Sequence, residues 1–161
     1  MHRNSQKRIY LDNAIYFVTT KTRDKYPYFK NPIFAEYMME VIKIGCELKG
    51  CNLFGHVIIP NHIHVLIQPK KKYNISDYMH YIKRHSSRNI RILILKNHAG
   101  EDGHPRLPSG GVWQSSFHDH IIRDEEDLNT HIEYIKNNPI KHGLLKEGET
   151  YSYLYINEEL A

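Results

Sequence analysis

The order of the predicted elements indicates an α+β domain, in which an antiparallel sheet carries helices on one face. Runs rich in β-branched and aromatic residues alternate with helically periodic stretches in the order strand, helix, strand, strand, helix, strand, helix. The two central strands are separated only by Pro60-Asn61, and so short a connection favours an antiparallel hairpin. The chain has 161 residues, enough for one core, and no repeat or composition break divides it. The sequence therefore predicts a single ferredoxin-like, split βαβ domain with an extra C-terminal helix.

The first half of the chain supplies three strands and one helix. A strand is predicted over 14–20, where β-branched and aromatic residues dominate. A helix is predicted over 32–49, because its apolar residues recur at helical spacing and Gly50 supplies a stop. The strands of the hairpin follow over 53–59 and 62–68.

The second half is expected to begin with a helix that Ser76 caps and that runs to about Leu95. Glycine and proline make 97–111 an exposed loop, and a fourth strand is expected over 112–123. The acidic run 124–127 suits the start of a third helix, which Asn138-Pro139 should end. The alternating tyrosines of 151–155 predict a short edge strand.

Composition narrows the class of protein. A net charge of +4 weakly favours an anionic partner, and rings interspersed with lysine and arginine suit stacking on unpaired bases. No apolar stretch approaches the roughly 20 residues that span a bilayer, and the N-terminus lacks the apolar block of a signal peptide. We therefore expect a cytoplasmic protein with no membrane contact. Cys46 and Cys51 fit neither a zinc nor a redox spacing.

A pair of histidines marks the second strand of the hairpin. Side chains alternate between the two faces of a strand, so His62 and His64 share one face while Ile63, Val65 and Ile67 share the other. The aliphatic face belongs against the helices, which leaves both imidazoles on the open face, where they could bind one metal ion. Two imidazoles leave the coordination incomplete, and solvent-facing polar residues are the simpler interpretation of the pair alone.

The third helix offers two further candidates. Tyr134 and Asn138 are four residues apart and should project from the same helix face. Tyr134 has a hydroxyl that could act as a nucleophile if a divalent cation polarised a phosphodiester, and Asn138 has a neutral oxygen that could serve as the third ligand. A packing role is the more common one for a helical tyrosine.

Two motifs together resemble a known family. The stretch GHVIIPNHIHVLIQ resembles the His-hydrophobic-His signature of the HUH single-strand DNA transposases. The stretch VWQSSFHDHIIRDEEDLNTHIEYIKNNPIKHGLL resembles the C-terminal block of the REP-associated tyrosine transposases, and IYFVTTKTRDKYPYF resembles their first strand and loop. The resemblance spans most of residues 10–145.

The resemblance implies an active site and a reaction. His62, His64 and Asn138 match the metal ligands, with Mg²⁺ or Mn²⁺ as the ion, and Tyr134 matches the catalytic tyrosine. The implied reaction forms a 5′-phosphotyrosine bond on hairpin-containing single-stranded DNA and then transfers the strand. Asparagine at 138, where insertion-sequence relatives have glutamine, favours the REP-associated branch. His118 and His120 fall in a family segment that suggests strand residues near the DNA rather than a second metal site.

Binding to DNA should combine phosphate contacts with ring stacking. The candidates from the basic segments and the lone tryptophan are Lys21, Arg23, Lys25, Lys83, Arg84, Arg88, Arg91, Trp113 and Arg123. A DNA substrate would place the protein at the nucleoid. Insertion-sequence relatives share active sites across a homodimer while the REP-associated branch can act as a monomer, so the resemblance leaves the oligomeric state open.

Two other functions compete with this one. A non-catalytic single-stranded nucleic-acid-binding module could use the same strand order, although RNA-recognition domains carry aromatic stackers where this chain has His62 and His64. A metal-dependent phosphatase would use metal-bound water and would not require Tyr134.

Overall fold

The structure, a computed structural model, describes residues 8–70, 72–97, 111–146 and 148–160. Five strands and three α-helices form in these ranges, and two single 3₁₀ turns follow the first strand. The strands are β1 Tyr16–Lys21, β2 Cys51–Ile59, β3 His62–Pro69, β4 His118–Ile121 and β5 Leu154–Ile156. The helices are α1 Pro32–Lys49, α2 Ile75–Asn97 and α3 Glu125–Lys141.

The strands form one antiparallel sheet in the order β4-β1-β3-β2-β5. The order of the first four is that of the split βαβ arrangement, in which β3 lies between β1 and β2, so the predicted fold class is confirmed. The hairpin is also confirmed, because Ile59 pairs with His62 across the turn at Pro60-Asn61. The predicted edge strand is present as β5, which pairs with the outer side of β2.

The first face of the sheet is covered by α1 and α2. Ile63, Val65 and Ile67 are fully buried there, as the alternation of β3 predicted. The two helices approach closely at Gly45, where an added Cβ would lie 3.0 Å from Ile82 Cγ2. The main core of the protein therefore lies between this sheet face and the helix pair.

The second face of the sheet is covered by α3, and it is not open as the sequence suggested. Leu66 from β3 packs there with Ile132 and Ile135 from α3, and all three are buried. The histidines on this face are buried as a result. The sheet is therefore a central layer, with the main core on one side and a smaller one on the other.

Three predicted boundaries need correction. Helix α2 begins at Ile75 rather than after Ser76, because Asn74 Oδ1 accepts from the backbone N–H groups of Ser76 and Asp77 while Asp77 Oδ2 accepts from Asn74 N. This reciprocal arrangement is a capping box. Asn74, and not Ser76, is therefore the residue that caps α2.

The other two boundaries concern β4 and α3. Strand β4 covers only His118–Ile121, because Trp113 makes a single bridge to Thr22 and the chain then leaves the sheet. Helix α3 runs through Pro139 to Lys141 instead of ending there. Pro139 has no N–H to donate, but the last turn still closes around it because the N–H of His142 bonds the carbonyl of Asn138.

No helix in the described ranges combines the length and the apolar character needed to cross a bilayer.

Candidate active site

The histidine pair lies at the start of β3 under α3. His62 is 8% and His64 4% exposed, and their ring centroids are 4.9 Å apart. His62 Nδ1 donates to Asn61 Oδ1 at 2.7 Å, and His64 Nδ1 lies 2.8 Å from Thr19 Oγ1. Because a partner engages Nδ1 in each ring, Nε2 is the nitrogen that remains for a ligand.

Both imidazoles are held in the neutral form. Burial, with lesser effects of His142 and Lys21, lowers the pKa of His62 to about 4. Burial also lowers the pKa of His64 to about 3, and the neighbouring His62 contributes next. A neutral imidazole has the free lone pair that a metal ion requires, so at neutral pH the pair is in its ligating form.

Helix α3 brings Tyr134 to the histidine pair. The ring of Tyr134 meets the ring of His64 edge-on, with centroids 5.1 Å apart, and the ring of His142 at the end of the helix lies 5.0 Å from that of His62. Asn138 is four residues from each, on the same helix face. It therefore lies between the two ring contacts that Tyr134 and His142 make with the histidine pair.

Buried polar atoms without partners mark this place. Asn138 is 1% exposed, and neither its Oδ1 nor its Nδ2 has a hydrogen-bond partner; His64 Nε2 is also buried and unpartnered. A buried amide left unpaired costs free energy, so such groups ordinarily signal a missing partner. Two imidazole nitrogens and one amide oxygen are ligands that a divalent cation accepts, and three protein ligands leave positions for substrate oxygens. The residues fit a catalytic metal ion.

A second group of ligand-type residues lies elsewhere. One ligand atom each from His120, Asp127 and His131 lies within 4.8 Å of the others. Its carboxylate is already satisfied, since Asp127 Oδ2 accepts from His120 Nε2 at 2.9 Å and from Arg123 Nε at 3.1 Å. A cation there would have to displace a guanidinium. These residues fit a hydrogen-bonded charge cluster better than a metal site.

Sequence reasoning did not single out Phe17, Thr19 or Lys141. Phe17 stacks on His64 with centroids 5.2 Å apart and meets Tyr134 edge-on at 5.6 Å, while the ammonium of Lys141 lies 5.4 Å from the Tyr134 ring centroid. Thr19 orients His64, as described above. A signal for Phe17 and Thr19 existed, because they alternate on one face of the first strand.

Two residues that were predicted to contact DNA have other roles in the structure. Trp113 is 5% exposed, packs on Phe29 and donates its indole N–H to Ser86 Oγ at 2.8 Å, so it is a core residue and cannot stack on a base. The ammonium of Lys83 donates to the carbonyls of Gln114 and two serines that follow it. Burial lowers the pKa of Lys83 to about 8, and it ties α2 to this segment instead of facing solvent.

The other cationic candidates lie at the surface. Lys21 is exposed and pairs in register with His62, at the end of β3 that carries the histidine pair. Arg23 lines a groove of about 430 Å³ between α2 and residues 111–117, together with Arg84 from α2. The remaining candidates, all exposed, are Lys25, Arg88, Arg91 and Arg123, the last of which also bonds Asp127.

Comparisons with known proteins identify the family. The sequence profile of the family described as "Transposase IS200 like" matches residues 11–138. The chain is 27% identical over 158 residues to a Haemophilus influenzae protein named as a candidate REP-associated tyrosine transposase, covering 98% of this chain and 88% of that one. It is 22% identical over 156 residues to an Escherichia coli REP-associated tyrosine transposase, covering 96% and 84%.

Solved structures show the same fold. A REP-associated tyrosine transposase bound to a REP hairpin superimposes with a TM-score of 0.73 at 20% identity, covering 94% of this chain and 82% of the other. A candidate transposase of Deinococcus radiodurans gives a TM-score of 0.55 at 17% identity, covering 85% and 97%. With most of its length matched by the family profile, the chain belongs to the IS200-like transposase family, and the REP-associated tyrosine transposases are among its relatives.

Proposed function

We propose that this protein is a metal-dependent single-strand DNA endonuclease and strand transferase that acts on DNA bearing a hairpin. The observation that carries the proposal is the contact of the half-exposed Tyr134 with His64, on the same side of the sheet as His62 and the buried, unpartnered Asn138 amide. A nucleophile beside three neutral ligands of a divalent cation suits phosphodiester transesterification.

The chain supplies the nucleophile and holds the metal ligands. The hydroxyl oxygen of Tyr134 attacks the scissile phosphorus, one P–O bond forms and the P–O bond to the 3′ oxygen breaks. The phenol loses one proton to solvent and the departing 3′ oxygen gains one, so a 5′-phosphotyrosine and a free 3′-OH result. Mg²⁺ or Mn²⁺, when bound by His62, His64 and Asn138, supplies charge stabilisation of the phosphate oxygens. A later attack by a 3′-OH reverses the step and joins strands without a nucleotide cofactor.

The DNA path is proposed to pass around the end of β1. Helix α2 carries five lysines and arginines and one aspartate, which makes its exposed side basic. The N–H of Gln114 bonds the carbonyl of Lys21, so the wall of the α2 groove is tied to the strand end beside His62. We propose that Arg23, Arg84, Arg88 and Arg91 bind hairpin phosphates, and that the single strand passes Lys21 to reach Tyr134.

One contact favours a single chain acting alone. The ring of Tyr134 contacts the ring of His64 of the same chain, so a complete set of candidate groups exists without a second copy. We therefore favour a monomer over the homodimer that insertion-sequence relatives suggest. Action on DNA also implies a nucleoid location.

The proposal is tested with hairpin-bearing single-stranded DNA, radiolabelled and incubated with the protein and Mn²⁺. We expect a covalent protein–DNA adduct that survives denaturation, requires the metal, and is absent from the Tyr134→Phe variant. The absence of an adduct across a library of hairpins and flanking sequences would overturn the proposal.

The same assay separates the alternative functions. A phosphatase-like hydrolase would cleave without an adduct and would keep its activity in the Tyr134→Phe variant. A non-catalytic nucleic-acid-binding module would bind DNA without cleavage. The packing of α3 on the second sheet face argues against such a module, because the module would need that face to stack bases.

A further inference from the structure

The side chain of Phe17 contacts both halves of the candidate active site. Its ring stacks on His64 with centroids 5.2 Å apart and planes inclined by 13°. Its ring also meets Tyr134 edge-on, with centroids 5.6 Å apart and planes at 90°. One side chain of β1 therefore contacts a candidate metal ligand and the candidate nucleophile at once.

The ring of His131 extends this arrangement along α3. His131 lies 4.6 Å from Phe17 and 4.8 Å from His120, measured between ring centroids, and it is stacked on His120. It precedes Tyr134 by three residues, so the two lie on neighbouring turns of α3. His120, His131, Phe17 and His64 form a continuous row of rings, which we call the ring row, from β4 to β3.

Asp127 fixes the far end of the ring row. Its carboxylate accepts from His120 Nε2 at 2.9 Å and from the backbone N–H of Arg123 at 3.1 Å. His131 Nδ1 lies 2.8 Å from the main-chain oxygen of Asp127 and 3.2 Å from its Oδ1. The first turns of α3 are therefore held against β4 by bonds that also set the plane of the His131 ring.

Tyr134 needs lateral support that its own burial does not supply. It is 38% exposed, while Ile135 next to it is fully buried and anchors α3 in the second core. A half-exposed tyrosine has alternative rotamers available, and an in-line attack requires one direction of its Cζ–Oη bond. The edge contact with Phe17 restricts these rotamers on the side that faces the histidines.

We propose that Phe17 and His131 are positioning residues for Tyr134, which hold its hydroxyl in the direction of attack through the ring row. The inference rests on the proposed function. Neither residue is expected to contact the DNA or the metal ion; each acts through the orientation of Tyr134 and, in the case of Phe17, of His64. Removal of either ring should slow the chemical step more than it weakens binding.

The test measures single-turnover adduct formation at saturating Mn²⁺ and hairpin DNA, with the dissociation constants of both measured separately. We expect Phe17→Leu and His131→Leu to lower the rate by roughly 10- to 100-fold while leaving the two dissociation constants within about 3-fold of wild type. Phe17→Tyr and His131→Phe keep the rings and should restore most of the rate.

The Phe54→Leu variant is the matched control. Phe54 is 6% exposed and belongs to the same small core, but the ring contacts of the site do not include it. Phe54→Leu removes a phenyl ring as Phe17→Leu does, so we expect a comparable loss of thermal stability but an unchanged rate of adduct formation. A second readout needs no activity: ¹H–¹³C spectra of histidine-labelled, metal-free protein should show His64 ring signals that move downfield in Phe17→Leu, because a stacked ring shields them.

The outcomes separate the two proposals. If wild type forms no adduct with any hairpin, the proposed function fails and the positioning role with it. If wild type forms the adduct and Phe17→Leu matches its rate, only the positioning role fails. The positioning role would also be overturned if a fall in Mn²⁺ affinity accounted for the lost rate, because the effect would then lie in metal binding. An equal loss of rate in Phe54→Leu would overturn it as well, because the effect would then lie in general stability.

Discussion

The ring of Tyr134 meets the ring of His64 of the same chain edge-on, with their centroids 5.1 Å apart. This contact joins α3 to β3 across the second face of the sheet, and it brings a helix near the C-terminal end of the chain to the central hairpin. Because Tyr134 already contacts a histidine of its own chain, a second copy is not required to bring the two together. We therefore expect catalysis in cis, with Tyr134 and the histidine pair of one chain acting together.

Mixed variants test catalysis in cis. Tyr134→Phe lacks the proposed nucleophile and His64→Ala lacks a proposed metal ligand, so neither should form the covalent adduct alone. An equimolar mixture of the two should remain inactive, because each chain completes only its own site. Adduct formation by the mixture, measured on denaturing gels against wild type at the same concentration, would instead demonstrate shared sites across a dimer.

Replacing Asn138 with leucine should change stability and metal binding in opposite directions. Both amide atoms of Asn138 are buried without partners, so Asn138→Leu should raise the free energy of unfolding of metal-free protein by about 1–3 kcal/mol. The same change removes the proposed oxygen ligand and should weaken Mn²⁺ binding by roughly 10-fold or more. Urea unfolding with chelator and calorimetric titration with Mn²⁺ measure the two effects.

Asn137→Leu is the control for that change, since Asn137 is the exposed neighbour on the same helix. Surface substitutions usually shift stability by less than about 0.5 kcal/mol, so both quantities should stay near wild type. A loss of stability in metal-free Asn138→Leu would mean that the amide is already satisfied, and the assignment of Asn138 as a ligand would lose its support.

Stability should fall as the pH drops below neutrality. His56 is 3% exposed, its Nδ1 has no partner, and burial lowers its pKa to about 4. In the unfolded chain the imidazole of His56 takes up a proton near pH 6.5, but in the folded chain it does so only near pH 4. The free energy of unfolding is therefore unaffected by this group above pH 6.5 and falls progressively as the pH drops from 6.5 to 4. This histidine alone accounts for about 3 kcal/mol by pH 4, and the lowered pKa values of His62 and His64 add to the loss.

The contribution of His56 is isolated by replacement with methionine, an apolar side chain that adapts to irregular cavities. His56→Met should flatten the decline in the free energy of unfolding between pH 6.5 and 4, measured by urea titration with chelator present. The exposed His85 supplies the control, because His85→Gln should leave the profile unchanged. A His56→Met profile as steep as wild type would assign the acid sensitivity to other groups.

Exposed arginines of α2 should contribute to DNA affinity through charge. Arg84→Gln and Arg88→Gln should each weaken hairpin binding, and each should reduce the slope of log affinity against log salt by about 0.7–0.9 for one lost phosphate contact. Fluorescence anisotropy between low and moderate salt gives both values. Lys43→Gln on α1 is the control, since it removes the same charge from the opposite helix of the pair.

Lys83 should behave differently from its arginine neighbours. Its ammonium bonds three main-chain carbonyls, so Lys83→Met should lower the melting temperature, while its own phosphate contribution to the salt slope is expected to be near zero. A salt slope reduced as much as in Arg84→Gln would show that Lys83 leaves those carbonyls to bind DNA.

Local periodicity was sufficient to predict the central parts of the candidate site. Strand alternation placed His62 and His64 on one face, and helical spacing placed Tyr134 and Asn138 on another. Both predictions depend only on backbone geometry, which the surrounding fold does not alter. The family resemblance added which helix meets which strand, something that no local pattern specifies.

The remaining features depended on tertiary contacts that periodicity does not contain. Trp113 and Lys83 were expected at the DNA, but each is used to fasten residues 111–116 to α2. The role of Phe17 required knowledge that β1 lies beside β3 and that α3 lies above both. Pro139 was expected to end α3, yet the last turn accommodates it because the backbone bonds beyond it still form.

The two residues of the Pro60-Asn61 turn accept several hydrogen bonds from neighbouring segments. Asn61 Oδ1 accepts from His62 Nδ1, its carbonyl accepts from the backbone and hydroxyl of Thr22, and the carbonyl of Pro60 accepts from Phe29 N. Surface turns ordinarily tolerate inserted residues. Here one added residue would move His62 out of register with Lys21 and break the bonds that hold the loop after β1. We therefore expect the shortest connection of the sheet to be the one that least tolerates an insertion.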